Sequence, residues 1–167
     1  MLFATVGSTL LPFIDNSVNY LRAEDGMGIY FSTDDEHQTT SVAFAFQTGE
    51  IWSVDTTLLA YQKDVPFLED LYADRFQKYA HLLAGLGLEP PYHWIAGVTG
   101  VKDRRFQVPL PPGRAQIMGL RGPQFLSNNI LEQGDYDGQQ TPTNALLPFF
   151  NLIFDKCGVP RPDHLPR

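Results

Sequence analysis

The sequence predicts an α+β domain in which an antiparallel sheet carries a long central helix and a C-terminal helix packed on it. Three patterns support this class: residues 41–54 alternate with a period of two around a Thr-Gly turn, and residues 64–87 and 141–158 carry apolar residues at helical spacing. Strand-rich and helical stretches in this order are typical of helices packed on an antiparallel sheet. Residues 1–167 are predicted to form a single domain, with residues 1–33 as an N-terminal arm or the tail of a preceding domain.

The N-terminal half is predicted to contain one clear hairpin. Before it, Phe3 to Val6 is consistent with a strand and Pro12 to Leu21 with a short helix. From Ser41 to Gln47, large residues alternate with serine and alanine, which predicts a strand with one well-filled face, and Ile51 to Val54 returns after the turn. The well-filled face carries Val42, Phe44 and Phe46.

The long helix is predicted to begin near Asp64, which serves as its N-cap, with Pro66 in its first turn. Gly85 and Gly87, followed by two prolines, end it. Spacings of three and four residues define its apolar stripe, which consists of Leu68, Tyr72, Phe76, Tyr79, Leu83 and Leu86.

Two further strands are predicted at Tyr92 to Val98 and at Arg105 to Leu110, joined by a glycine-containing turn. Another strand is expected around Phe125 to Leu131, and residues 134–138 are expected to form a loop.

The C-terminal helix is predicted to open at Thr141 with Pro142 in its first position. Pro148 should kink it and Gly158 should end it. Its apolar side includes Cys157, which is predicted to act as a small buried hydrophobic residue.

Composition excludes several classes of protein. With 19% charged and 13% aromatic residues, the chain is unlike disordered proteins, and its single cysteine allows neither an internal disulfide nor a cysteine-rich zinc site. A reducing, cytoplasmic location is therefore predicted. No basic segment leads into an apolar run near the start and no run of about eighteen apolar residues occurs, so no membrane association is expected.

The net charge of −7 is unevenly distributed. Residues 1–100 sum to −9, residues 101–121 to +4 and residues 122–167 to −2. The acidic parts argue against a nucleic-acid footprint over the whole surface, whereas the basic stretch is a candidate anion contact. The residues chosen for this contact are Lys102, Arg104, Arg105 and Arg114. A salt-bridged edge facing the acidic surface is the competing interpretation.

Gly97 and Gly100 lie just before the basic residues in a Gly-x-x-Gly segment similar to the loop by which KH modules clamp a nucleic-acid backbone. A KH loop joins two helices, but strands are predicted on both sides here. We therefore interpret the two as loop glycines in a tight turn.

No cofactor and no metal site is predicted. Asp34 to His37 gathers hard ligands in no recognisable spacing, and Asp135 with Asp137 forms half of a calcium loop without its closing glutamate.

No catalytic residue is assigned. An alternative hypothesis is a small hydrolase that uses His93 or His37 with a carboxylate in a deep pocket. A third is a self-associating scaffold that uses the many aromatic residues.

From Thr40 onward the sequence resembles the C-terminal region of bacterial proteins that carry an AlbA-like, Schlafen-type domain associated with DNA binding, often labelled divergent AAA-type ATP-binding proteins. The resemblance covers about three quarters of the chain. It rests on three segments, residues 46–56, residues 86–102 with their Leu-Gly-Leu-Glu-Pro-Pro start, and residues 145–162. The Glu-Phe-Lys type of motif on which the nucleotide and nucleic-acid labels depend has no match here, so neither ATP nor DNA binding is assigned to any residue.

What the resemblance implies is a non-catalytic accessory module that serves in interaction or sensing beside a nucleic-acid-associated domain. The expected partner is another protein or a preceding AlbA-like domain, with nucleic acid retained as a second candidate at the basic stretch.

Overall fold

The computed structural model describes residues 10, 19–32, 39–60, 62–111 and 122–166. In these ranges the chain has an α+β fold, which confirms the predicted class. The strands are β1 (Asn19–Ala23), β2 (Gly26–Ser32), β3 (Thr39–Phe46), β4 (Ile51–Asp55), β5 (Tyr92–Thr99) and β6 (Asn129–Tyr136). The helices are α1 (Thr57–Ala60), α2 (Glu69–Gly85), α3 (Pro142–Ala145) and α4 (Leu147–Asp155).

The chain divides into two compact units, each discontinuous in sequence. The sheet unit comprises Met1–Ala60 and Asp74–Pro90, and the ribbon unit comprises Tyr61–Ala73 and Pro91–Arg167. The long helix α2 therefore begins in the ribbon unit and ends in the sheet unit. The single domain over residues 1–167, with its N-terminal arm, stays a prediction.

The sheet unit is built on an antiparallel sheet with the strand order β1-β2-β3-β4. The predicted hairpin of β3 and β4 is confirmed, and Gly49 adopts the positive φ of +92° that its turn requires. The helix expected over Pro12 to Leu21 is wrong at its end, because Asn19 onward pairs as β1 with β2. The strand expected at Phe3 to Val6 lies outside the described residues.

One face of this sheet is buried by the C-terminal half of α2. Ala43 and Ala45 from β3 cluster there with Ile29, and Leu82 covers them. Ser41 lies on the same side and is 1% exposed. The strand is thus confirmed, but its small residues face the core. Small side chains leave room for a helix to approach the sheet closely, so the larger residues of β3 are directed to the opposite face.

Helix α2 is confirmed, although it begins at Glu69 and not near Asp64. The preceding segment is extended because the Val65 amide donates to the Arg105 carbonyl at 2.7 Å, so this backbone is committed elsewhere. At the other end Gly87 has a φ of +82°, and the Leu88 amide donates back to the Leu83 carbonyl at 3.0 Å. This is the Schellman arrangement that glycine favours after a helix.

In the ribbon unit, β5 pairs antiparallel with β6 along its whole length. The second strand predicted after the turn, at Arg105 to Leu110, is wrong, since that stretch forms only isolated bridges, to Val65 and Gln124. The loop expected at residues 134–138 is also wrong in its first half, which belongs to β6. Gly134 serves there as a close-contact position, because a Cβ on it would lie 2.6 Å from the Trp94 ring.

The predicted C-terminal helix and its kink are confirmed. The Thr141 hydroxyl accepts from the Asn144 amide at 3.2 Å, and the helix is interrupted between α3 and α4, where Pro148 has no N–H to donate. Gly158 follows α4 with a φ of +71°. The buried side of α4 contributes Phe149, Phe150, Ile153 and Phe154 to the core.

No helix in the described part of the chain is both long and apolar enough to cross a membrane.

Candidate functional site

The predicted anion contact lies on the turn that follows β5. Lys102 is exposed. Arg104 is partly committed, because its guanidinium donates to the Gln62 carbonyl at 2.9 Å and so anchors the segment before α2. Backbone hydrogen bonding with Gln124 and Val65 holds the main chain of Arg105 in place, and its side chain is half-buried. Arg114 lies outside the described residues.

The two candidate glycines occupy different kinds of position. Gly97 lies within β5, where the Leu131 side chain packs over it and its carbonyl accepts from the Tyr72 hydroxyl at 2.5 Å. Gly100 follows the strand and has a φ of +77°. Since the strand continues to Thr99, the two glycines do not flank a common loop. Only Gly100 acts as a turn glycine.

His93 meets a carboxylate, as the hydrolase hypothesis requires. Its Nδ1 lies 3.0 Å from Oδ1 of Asp135, its cross-strand partner. The two side chains are 56% and 78% exposed, so water surrounds both groups. The deep pocket that the hypothesis requires is therefore not present at this pair. His37 lies outside the described residues.

The half calcium loop is a self-contained turn. Oδ1 of Asp137 accepts from the amides of Gln139 and Gln140 at 2.8 and 3.2 Å. These hydrogen bonds lower the pKa of the Asp137 carboxyl. Across the described residues, no group of three or more potential metal-ligating side chains comes together. The cluster at Asp34 to His37 lies outside them.

Cys157 is buried, as predicted, and burial raises the pKa of its thiol from 9.0 to about 11. At a pH below both values, this shift leaves about 100-fold less thiolate than in the unfolded chain. We expect the native thiol to react with a disulfide reagent at least about tenfold more slowly than in denaturant at the same pH, because burial lowers both its thiolate fraction and its accessibility. Equal rates in the two states would contradict the burial.

The same shift has a defined sign for stability. The folded state holds the proton of the Cys157 thiol more tightly than the unfolded chain does. The stabilising contribution of this thiol to the free energy of unfolding is therefore complete below pH 9 and is lost as the pH rises toward about 11.

The largest feature that sequence reasoning missed is the face of the four-stranded sheet opposite α2, which we call the outer sheet face. Cross-strand register places Trp52 beside Phe44, and Val54 beside Val42, on this side. Trp52 is 66% exposed and Val54 is 56% exposed. The large side chains of the outer sheet face are Leu21, Tyr30, Val42, Phe44, Phe46, Trp52 and Val54.

Aromatic rings form a row across this face. The Phe44 ring lies on the backbone of β2, because Cβ atoms on Gly26 and Gly28 would lie 2.5 and 2.7 Å from its ring carbons. Phe46 follows at a centroid distance of 4.5 Å from Phe44 and meets Trp52 edge to face at 5.9 Å. Gly26 and Gly28 therefore leave the space in which the Phe44 ring lies. The aromatic row continues through Phe46 and ends in the exposed indole of Trp52.

Acidic side chains border one end of the row. Hydrogen bonds join the turn between β1 and β2 to the turn between β3 and β4 there. The backbone N–H of Gln47 donates to the Asp25 carbonyl at 2.9 Å, and its side-chain Nε2 donates to the Glu24 carbonyl at 3.0 Å. The Glu50 carbonyl accepts from the Phe46 amide at 2.9 Å. We call the exposed carboxylates of Glu24, Asp25 and Glu50 the acidic rim. In the described strands, the outer sheet face itself carries no lysine or arginine.

Part of this site was visible in the sequence. The alternation of Val42, Phe44 and Phe46 predicts one filled face of the strand, and Trp52 continues it on the returning strand. What was missed is the meaning of Gly26 and Gly28, which indicate a ring lying across β2.

Comparison of the chain with family models, curated proteins and solved structures finds no match. The resemblance to the C-terminal region of AlbA-like, Schlafen-type proteins stays an expectation that rests on its motifs.

Proposed function

We propose that this chain is a non-catalytic interaction module that binds a protein partner through the outer sheet face. The observation that carries the proposal is the aromatic row that ends in Trp52, on a sheet whose opposite face α2 already covers. Exposed apolar patches of this kind mark interaction sites in proteins. Tryptophan is also among the residues that contribute most to binding energy at interfaces.

The size of the face favours a short partner segment. Four strands spaced about 4.8 Å apart and five paired residues rising about 3.4 Å each give a footprint of roughly 300 Å². A stable interface buries about 800 Å² on each partner. The outer sheet face alone is therefore too small for a stable dimer of this chain, which makes the self-associating scaffold the weaker alternative.

A library of short displayed peptides, panned against the full chain, tests this function. We expect peptides enriched on the native chain to be lost on Trp52→Ala, because that substitution removes the exposed end of the row. They should be retained on Leu126→Ala, a matched control that trims a side chain 67% exposed in the ribbon unit. Enrichment that is equal on all three chains would overturn the proposal.

The proposed partner is another protein or a preceding AlbA-like domain, as the family resemblance implies. The hydrolase alternative is supported only by the hydrogen bond between His93 and Asp135, and the exposure of both side chains argues against it.

An anion contact at the turn of Lys102, Arg104 and Arg105, which we call the basic turn, remains a second proposal, supported by the exposed ammonium of Lys102. If the turn binds phosphates, Lys102→Gln should weaken binding to short oligonucleotides and reduce the slope of log affinity against log salt by about one. Single- and double-stranded oligonucleotides should be titrated across a salt series. Absence of binding at low salt, or an unchanged slope in the variant, would remove this contact from the proposal.

A further inference from the structure

The partner segment can be specified further from the charges around the outer sheet face. We infer that it is a basic peptide in which a lysine or arginine lies on the Trp52 ring while its charge faces the acidic rim. This inference rests on the proposed function and adds the chemistry of the partner to it.

The first argument is charge complementarity. Over its described residues the sheet unit carries six acidic side chains and three basic ones. Two of the basic residues, Arg75 and Lys78, lie on α2 beside Asp74, so they belong to the helix on the other side of the sheet. The third, Arg22, alternates with Leu21 on β1 and therefore lies on the side away from the aromatic row. The surroundings of the row are negative.

The second argument is the geometry of Trp52. Indole rings attract cations to their faces more strongly than other aromatic side chains do, and arginine also stacks on them. Phe46 meets the indole edge to face on one side, and the side chain remains 66% exposed. Glu50 precedes Trp52 by two residues, which is about 7 Å along an extended strand. One cation can therefore contact the ring while it faces a carboxylate.

The same features argue against other occupants. Single-stranded nucleic acid also stacks on exposed aromatic rings, but its binding sites pair those rings with positive charge along the backbone. Here the acidic rim would repel phosphates. A second copy of the chain would add its own acidic rim to surroundings that are already negative, and its outer sheet face offers no lysine or arginine to balance them in the described strands. A basic peptide is the occupant that both the exposed indole ring and the negative charge around the aromatic row favour.

Three matched peptides test the inference on the full chain: a short peptide that alternates arginine with valine, and the same peptide with glutamine or with glutamate at each arginine. We expect the arginine peptide to bind about tenfold more tightly than the glutamine peptide, and the glutamate peptide to bind least. Quenching of tryptophan emission and calorimetry give the affinities.

Variants locate the contact. Trp52→Ala should weaken binding of the arginine peptide about 30-fold, as expected for a central aromatic contact. The double variant Glu24→Gln and Glu50→Gln should weaken it severalfold and reduce its salt dependence. Asp155→Asn, which neutralises an exposed carboxylate on α4 in the ribbon unit, is the matched control and should leave binding unchanged.

The outcomes separate this inference from the proposed function. If the glutamine peptide binds as tightly as the arginine peptide, and both need Trp52, the basic partner is overturned and the interaction module stands. If oligothymidylate binds more tightly than the arginine peptide and needs Trp52, or if the native chain dimerises in sedimentation and Trp52→Ala does not, the inferred occupant is wrong. If no displayed or synthetic peptide depends on Trp52, both proposals fail.

Discussion

Replacing Arg161 with methionine is expected to lower the free energy of unfolding of the ribbon unit by about 3–5 kcal/mol. Arg161 forms a two-pronged pair with Glu69, in which Nε donates to Oε1 at 2.9 Å and Nη2 donates to Oε2 at 2.6 Å. The two side chains are 8% and 3% exposed. The variant would leave the Glu69 carboxylate buried without its counter-charge, which is the source of the cost.

Urea unfolding followed by the emission of Trp94 measures this effect. A Trp52→Phe background makes Trp94 the single tryptophan, and Trp94 is 7% exposed within the ribbon unit. The control is Asp135→Asn, which removes an exposed pair with His93 inside the same unit and should cost under about 1 kcal/mol.

A double variant sharpens the test. Glu69→Leu combined with Arg161→Met removes both charges and should recover most of the loss, because an apolar pair needs no compensation. A single variant as stable as its background, or a double variant no more stable than Arg161→Met, would contradict this account.

The second large effect is expected at Phe106, whose truncation to alanine should cost about 3–5 kcal/mol. Its side chain is fully buried, and its ring meets those of Phe125 and Phe154 at centroid distances of 5.6 and 5.3 Å. The Phe106 backbone is held as well, since its amide donates to the Pro123 carbonyl at 2.8 Å. A cavity at this position removes the contacts with both rings, and a close-packed interior closes around such a cavity only in part.

The same unfolding assay applies to Phe106→Ala. Leu126→Ala is its control, because a side chain that is 67% exposed should change the stability by only about 0.5 kcal/mol. Because Arg104 and Arg105 precede Phe106 directly, the variant should also loosen the basic turn, which faster amide hydrogen exchange at these residues would report. A loss of stability below about 1 kcal/mol would show that the site relaxes around the cavity.

Local chemistry made several elements predictable. The hairpin turn at Gly49, the end of α2 at Gly87 and the break before Pro148 all follow from backbone constraints that a single residue imposes. Such signals depend on near neighbours in the chain. They were therefore available without knowledge of the tertiary structure.

The predictions that are wrong concern features that depend on contacts between distant parts of the chain. The pairing of β5 with β6 joins strands about thirty residues apart, and no local pattern favours β6 over the nearer residues 105–110. The exposed face of β3 depends on where α2 packs, since alternation alone specifies two faces but not which one is buried. The exposure of the outer sheet face does not follow from the sequence for this reason, although the alternation in β3 shows that Val42, Phe44 and Phe46 share one face.

The discontinuous sheet unit has a consequence for synthesis on the ribosome. Strand β4 ends at Asp55, whereas Leu82 and Leu86, which pack on the inner face of the sheet, are made about thirty residues later. At about 5–20 residues per second, the strands wait roughly two to six seconds for their cover. During that interval the part of the inner face that Leu82 and Leu86 cover is open and the outer sheet face is apolar as well, so chaperone contact with the growing chain should be greatest between the completion of β4 and the emergence of α2.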